Sequence, residues 1–122
     1  EGSLTQQSNF SPSDKPIVLL INEQSLSDAE MTAQGFKALK LGTIIGNETY
    51  RWIIFTSGVG LVDGSSVRMP GWGCYSLDGK DLEMSGVQPD IKIINSFEDK
   101  INGRDPQVDK AVDEILKQLG KK

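Results

Sequence analysis

Residues 15–46, with the sequence KPIVLLINEQSLSDAEMTAQGFKALKLGTIIG, carry the periodicities that indicate the fold class. Ile17–Ile21 is apolar on both alternating faces, which is typical of a parallel strand covered on both sides, although a run this short also fits a buried helix. From Asp28 to Leu41 the apolar residues recur three or four positions apart, and Gly42 is placed to end that helix. Thr43–Ile45 then resumes strand character. The stretch predicts a βαβ unit.

Ser25 and Ser27 lie where the first strand of this unit meets the helix, and a serine there has two interpretations. As an N-cap, its hydroxyl accepts a hydrogen bond from a first-turn amide, and Ser27 with Glu30 also fits a capping box. As a nucleophile, it projects beyond the carboxyl end of the strand, where free amides and the positive helix end can stabilise an oxyanion. The local pattern favours capping, and the G-x-S-x-G motif of nucleophile elbows is absent.

Four short motifs, in order along the chain, resemble the catalytic segments of the tail-specific and C-terminal processing serine peptidases. The first is N-E-x-S-x-S-x-x-E at residues 22–30, and it places Ser27 on the family's nucleophile. The others are L-G-T-I-I-G followed by Thr49, L-V-D-G-S at residues 61–65, and G-V-Q-P-D-I at residues 86–91. The resemblance covers roughly residues 15–94, about two thirds of the chain. It implies a crotonase-like, or Clp protease-like, α/β fold.

One departure from the family pattern decides between its branches. Peptidases of the Ser-Lys type carry the general-base lysine in T-F-G-K-G, and here Trp52 stands at that position. Arg51 cannot substitute, because a guanidinium keeps its proton at any relevant pH. The better match is the tricorn branch, which uses an upstream Ser-His pair and a glutamate before the G-V-x-P-D motif. By this resemblance Glu83 is a charge-orienting catalytic residue, and the backbone amide of Asp28 is one donor of the oxyanion hole.

The general base is missing from the chain. The 122 residues contain no histidine, and a serine nucleophile near pH 7 needs a base such as histidine or a suitably tuned lysine. We therefore predict that the chain is the C-terminal part of a larger peptidase, with the base and a second oxyanion donor in an upstream part of the same catalytic domain. We expect the isolated 122-residue chain to be catalytically inactive or nearly so.

Composition narrows the function classes and the partners. A net charge of −4 and a pI near 4.8 give no support for nucleic-acid binding. No apolar run approaches the roughly 20 residues of a membrane span, and the N-terminus lacks a signal-peptide core. The single cysteine, Cys74, excludes an internal disulfide and fits a small buried apolar residue.

The resemblance implies a peptide or unfolded-protein substrate, and hydrolysis through an acyl-enzyme with no cofactor and no metal. Processing peptidases are usually extracytoplasmic and tricorn is cytosolic, so the compartment stays open, with a periplasmic location slightly favoured.

Along the chain we predict three parts. Residues 1–14 are polar and read as a linker or disordered segment. Residues 15–104 hold the C-terminal part of the catalytic domain, with a mainly parallel sheet and a small antiparallel group of strands. Within this part we predict a strand at residues 52–56 and a turn at 57–60. A break follows at Pro70-Gly71, and residues 97–104 form a polar connection. Residues 105–122 form an amphipathic helix of the same domain, N-capped by Asp105 with Pro106 at the first helical position.

Two alternatives to a peptidase remain. A catalytically inactive peptide- or ligand-binding module on the same fold would explain Trp52 in the lysine position. A structural or assembly domain would use Ser27 only as a cap, and Ser27→Ala would then cost about 1 kcal/mol of stability and change nothing else. Sheet edges left open by a missing upstream part favour pairing with another chain, including a homo-oligomer.

Overall fold

The computed structural model describes residues 15–120, so the predicted linker at residues 1–14 lies outside the described residues. Its elements are, in chain order, β1 (Val18–Ile21), α1 (Asp28–Ala38), β2 (Thr43–Gly46), β3 (Phe55–Gly60), β4 (Ser66–Trp72), β5 (Ile91–Lys92), α2 (Phe97–Ile101) and α3 (Pro106–Gln118). Three strands form a parallel sheet in the order β1-β2-β5, and β3 and β4 form a separate antiparallel pair. The predicted α/β architecture is confirmed.

The βαβ unit forms as its periodicity predicts, because its apolar residues meet in one cluster. Ile21 and Ile44 from the neighbouring strands pack against Ala33 of α1 and Val87, with Leu19 and Phe36 at the margin. Ile45 is also fully buried; since successive strand side chains face opposite sides, it lies on the face away from α1. The helix α3 packs on β1 and β2. The central strand β2 is therefore covered on both faces.

Two glycines allow β1 and β2 to approach each other at their ends. A Cβ on Gly46 would lie 1.8 Å from the carbonyl oxygen of Ile21, and Gly46 also has a φ of 136°. A Cβ on Gly42 would lie 2.1 Å from the carbonyl oxygen of Ile17. Only glycine fits at either position, because any other side chain would displace the neighbouring backbone.

The antiparallel pair differs from the sequence prediction. The strand expected at residues 52–56 begins instead at Phe55, and the residues expected to form a turn, 57–60, pair with residues 66–69. The expected break at Pro70 is also wrong: β4 runs through it, with Pro70 opposite Thr56. A proline is tolerated there because a two-stranded ribbon has a free edge that needs no ladder donor. The turn at Asp63-Gly64 is confirmed, with Gly64 at a φ of 85°.

The C-terminal part holds one unexpected helix. Residues 97–101, expected to belong to a polar connection, form α2, which is capped by Ser96 through a capping box with Asp99. The helix α3 begins as predicted, with Asp105 as N-cap and Pro106 in its first turn. Within residues 15–120, no helix has the length and apolar character needed to cross a bilayer.

Candidate active site

The candidate nucleophile lies on a tight connection between β1 and α1. After Ile21 the chain turns at Asn22, whose carbonyl accepts a hydrogen bond from the Ser25 amide at 2.9 Å and whose amide donates to the Ser25 hydroxyl at 3.1 Å. Ser27 follows as the residue before the first turn of α1, and its side chain is half-buried. Ser25 thus stabilises the turn with its hydroxyl, while Ser27 is presented at the helix start.

The backbone of Ser27 is strained. Its φ of 55° and ψ of −116° lie in a region that residues with a Cβ rarely adopt, and such conformations cost of order 1–3 kcal/mol. Ser27 and Glu30 have the pairing of a capping box, yet the Ser27 hydroxyl makes no cap hydrogen bond, and the Glu30 amide donates to the Ser27 carbonyl at 2.9 Å. A strained turn from strand to helix that presents a serine at the helix start is the geometry of a nucleophile elbow, although the glycine motif is absent.

Glu30 fixes this turn from inside the protein. Its side chain is fully buried and accepts four hydrogen bonds. One oxygen accepts from the amides of Ser27 at 3.1 Å and Trp52 at 2.8 Å, and the other from the Thr49 hydroxyl at 2.6 Å and the Arg51 amide at 2.7 Å. A carboxylate offers about four acceptor sites, so all are used and the burial of the charged group is compensated.

The segment 49–52 adapts its backbone to Glu30. Arg51 has a φ of 75°, which turns its amide and that of Trp52 towards the same carboxylate. Consecutive amides arranged in this way form an anion-binding nest. Trp52, at the position that carries lysine in the Ser-Lys branch, is therefore linked to the nucleophile turn through its backbone amide. Its side chain is 55% exposed and stacks on Tyr50, with ring centroids 5.9 Å apart.

Thr49 extends the network to the G-V-Q-P-D segment. Its buried hydroxyl donates to Glu30 and accepts from the Val87 amide at 2.8 Å, and its own amide donates to the Val87 carbonyl at 3.3 Å. Asp90 then ties the segment to β2, because its carboxylate accepts from the Ile44 amide at 2.9 Å and its amide donates to the Ile44 carbonyl at 2.8 Å. Three of the four motifs thus form one hydrogen-bonded unit.

Asp28 lies beside Ser27 as the first residue of α1, and its side chain is exposed. The amides of Ala29, Glu30 and Met31 all donate to carbonyl oxygens of the preceding turn, at 2.9–3.1 Å. Among residues 15–120, the Asp28 amide has no hydrogen-bond acceptor. A free amide next to the candidate nucleophile can serve one arm of an oxyanion hole.

Glu83 lies in the loop between the antiparallel pair and β5. Its side chain is exposed, and its amide donates to the Asp81 carboxylate at 2.9 Å. The neighbouring Leu82 is buried in a cluster with Ile53 and Cys74, and Met31 of α1 packs against this cluster. The loop is therefore docked on the helix that follows Ser27. No hydrogen bond joins Glu83 to Ser27 within the described part of the chain. Its catalytic role stays a prediction.

A groove of about 390 Å³ opens beside Ser27. The hairpin of β3 and β4 supplies one side and the nucleophile turn the other; the lining residues are Leu26, Ser27, Trp52, Ile54, Thr56, Arg68 and Pro70. Sequence reasoning found Ser27 and noted Trp52, but it missed the hairpin residues because it placed β3 too early. The capping-box spacing predicted the bond between Glu30 and the Ser27 amide, but the bonds of Glu30 to Thr49, Arg51 and Trp52 were missed.

Comparisons with known proteins agree with this geometry. The signature of peptidase family S41 matches residues 2–93. A tricorn-like protease C-terminal subunit of Sulfurisphaera tokodaii is 38% identical over 93% of the chain, and the tricorn protease of Thermoplasma acidophilum is 33% identical over 84%. The chain spans only 14% and 10% of the length of these relatives. The crystal structure of the tricorn protease matches with a TM-score of 0.80 and 31% identity, over 87% of this chain and 11% of that one.

Proposed function

This chain belongs to peptidase family S41, and from that premise we propose that it is the C-terminal portion of the catalytic domain of a tricorn-like serine peptidase, with Ser27 as the nucleophile. The observation that carries the proposal is the strained backbone of Ser27 at the start of α1, with a φ of 55° and a ψ of −116°. A serine used only as a cap would have an extended backbone, and Ser27 does not.

The proposed chemistry is acyl transfer. The Ser27 Oγ attacks the carbonyl carbon of a peptide bond and loses its proton to a general base; the carbonyl oxygen becomes an oxyanion that accepts from the Asp28 amide. The base then protonates the leaving amine, and water hydrolyses the acyl-enzyme in a second step. Since the 122 residues contain no histidine and residue 52 is tryptophan, the base comes from another segment of the protein.

Glu83 completes this proposal as the residue that orients the base. An exposed carboxylate on a loop docked against α1 is accessible to a histidine contributed from outside residues 15–120. In the Ser-His-Asp arrangement the carboxylate holds the imidazole in the productive tautomer and stabilises the imidazolium. Glu83→Gln in the whole protein should therefore lower kcat much more than it changes KM.

The upstream part of the domain is proposed to join the sheet. The strand order β1-β2-β5 leaves β1 at one edge of the parallel sheet, with backbone groups available for a further strand. The whole protein's substrate is proposed to be a peptide or an unfolded polypeptide, since the relatives in this family are named as proteases and processing peptidases.

A second candidate function is an inactive binding module, which the exposed Trp52 beside Ser27 favours. Labelling with a fluorophosphonate probe, read by intact mass and peptide mapping, separates the two. We expect an adduct on Ser27 in the whole protein, little adduct on the 122-residue chain, and none in Ser27→Ala. Ser66→Ala is the matched control: it removes an exposed hydroxyl on β4, outside the nucleophile turn, and should keep the adduct. A folded whole protein that stays unlabelled would refute the peptidase and leave the binding module.

A further inference from the structure

We propose that the groove beside Ser27 is a substrate subsite for an acidic side chain, glutamate in particular, and that Arg68 is its specificity-determining residue. The inference rests on the proposed peptidase function and goes beyond it, because it assigns a substrate preference to a residue outside the four motifs. The groove contains the candidate nucleophile and a guanidinium in the same lining, with Thr56 beside the guanidinium.

Arg68 differs from the other two arginines of the chain. Arg51 pairs with Glu48 at 2.7 Å, and Arg104 pairs with Asp99 at 2.9 Å. Arg68 makes no ion pair within residues 15–120; instead its Nε and Nη2 both donate to the Thr56 hydroxyl, at 3.1 and 2.7 Å. One uncharged oxygen therefore orients the guanidinium without neutralising it. A guanidinium carries five N–H donors, so several remain for a ligand.

The chemistry of the remaining donors selects a carboxylate. A planar guanidinium binds a carboxylate through two parallel, charge-assisted hydrogen bonds, which are about twice as strong as neutral ones. Because Thr56 already holds the Arg68 guanidinium, the binding of a carboxylate removes less side-chain freedom from Arg68. An amide or hydroxyl of the substrate would satisfy one donor and leave the positive charge uncompensated.

The walls of the groove favour a side chain over a peptide terminus. Leu26, Trp52, Ile54 and Pro70 line it with apolar side chains. A substrate main chain threaded along these walls would bury its amides and carbonyls without partners, at a cost in free energy for each group. The two methylenes of a glutamate side chain instead pack on apolar surface while its carboxylate reaches Arg68. The substrate main chain then stays outside, next to Ser27.

The test compares the whole protein with its Arg68→Gln variant on fluorogenic peptides. The peptides differ only in one residue flanking the scissile bond, which is glutamate, glutamine or lysine. We expect kcat/KM for the glutamate peptide to exceed that for the glutamine peptide by about tenfold or more, the size of one charge-assisted hydrogen bond. Arg68→Gln should bring this ratio close to one. Arg68→Glu should favour lysine, and Arg104→Gln, which removes an arginine that does not line the groove, should keep the ratio.

The controls separate the ways in which the inference can fail. A protein that neither cleaves any peptide nor accepts a fluorophosphonate at Ser27 refutes the proposed function; one that cleaves all peptides with equal kcat/KM refutes the subsite alone. If Arg68→Gln does not fold, Arg68→Lys carries the test, with an intermediate glutamate-to-glutamine ratio expected and an unchanged ratio counting against the subsite. Peptides with neutral side chains and either a free or an amidated C-terminus complete the set. An Arg68-dependent preference for the free C-terminus would overturn the assignment to a side chain.

Discussion

The backbone amide of Ser27 donates a hydrogen bond to Oε2 of Glu30 at 3.1 Å, so the candidate nucleophile is held by a carboxylate that is itself fully buried. The same carboxylate binds the Thr49 hydroxyl and the amides of Arg51 and Trp52. The strained conformation of Ser27 persists because the surrounding structure over-determines it, as strain at functional sites requires. Glu30 is therefore a positioning residue for Ser27.

Glu30→Gln is expected to destabilise the protein markedly. The glutamine keeps one acceptor oxygen but turns its NH₂ group towards two buried donors, and each unsatisfied buried donor costs about 1–3 kcal/mol. We expect the free energy of unfolding to fall by about 2–4 kcal/mol in urea titrations, by the same principle. Glu114→Gln makes the same chemical change on α3, where the carboxylate accepts a hydrogen bond from the exposed Gln118 side chain, and should change stability by less than about 0.5 kcal/mol. Equal effects of the two variants would contradict the importance of the Glu30 network.

Ser27→Gly separates strain from capping. Glycine adopts a φ of 55° without cost, so the variant relieves about 1–3 kcal/mol of strain and loses about 0.4–1 kcal/mol through the entropy of the unfolded chain. We expect Ser27→Gly to be at least as stable as the natural sequence in thermal unfolding, and more stable than Ser27→Ala, which keeps the strain. If Ser27 were only a cap, Ser27→Gly would instead lose a few tenths of a kcal/mol.

Gly46→Ala tests the close approach of β1 and β2. The added Cβ would overlap the Ile21 carbonyl, and the φ of 136° is unsuited to alanine, so we expect loss of the cooperative unfolding transition or a large fall in its midpoint. Gly35→Ala is the matched control, because nothing lies within 4 Å of its added Cβ and it lies inside α1. Removing a glycine from a helix interior should raise stability by about 0.5–1 kcal/mol. Circular dichroism melts of both variants measure the contrast.

The βαβ unit and the cap of α3 could be predicted because their signals are local. An apolar run, a change of period from two to about 3.6 and a terminal glycine each act within a few residues. The same holds for Asp105 and Pro106, which fix the start of α3. The cap of α2 is equally local, because Ser96 and Asp99 have capping-box spacing.

The hairpin and the Glu30 network could not be predicted, because both depend on contacts between distant segments. The residues around Trp52 have high β-propensity, but the amides of Arg51 and Trp52 are committed to Glu30, so that backbone cannot pair in a ladder and β3 starts at Phe55. The β-propensity of these residues predicted a strand correctly but placed its start three residues too early. Ser27 is singled out by a local motif, whereas the hydrogen bonds among the motifs join segments that are distant along the chain.

Asp105 gives a prediction with a defined pH dependence. Its carboxylate accepts from the Asn95 side chain at 2.8 Å and from the Val108 amide at 3.1 Å, and these bonds, the Asn95 bond foremost, lower its pKa below the ordinary value. A carboxyl whose pKa is lower in the folded than in the unfolded state stabilises the protein above the unfolded pKa of about 3.9, and this contribution is lost as the pH falls through the folded pKa. Asp105→Ala should therefore cost about 1 kcal/mol at pH 7, by the loss of a helix cap, and less as the pH falls below about 4.

Two further variants isolate the charge from the cap. Asparagine caps helices about as well as aspartate, so Asp105→Asn should keep most of the stability at pH 7. It should lose the pH-dependent stabilisation that the Asp105 carboxylate provides. Asp113→Ala removes an exposed carboxylate from the middle of α3, away from the cap, and is the matched control for the loss of a carboxylate from this helix. The measurement is urea unfolding of all four proteins between pH 3 and 7. Because α3 packs on β1 and β2, loss of its cap acts on the central sheet as well as on the helix, and the whole transition should shift. An unfolding free-energy difference between Asp105→Ala and the natural sequence that is constant over this range would show that the Asp105 carboxylate has the same pKa in the folded and unfolded states.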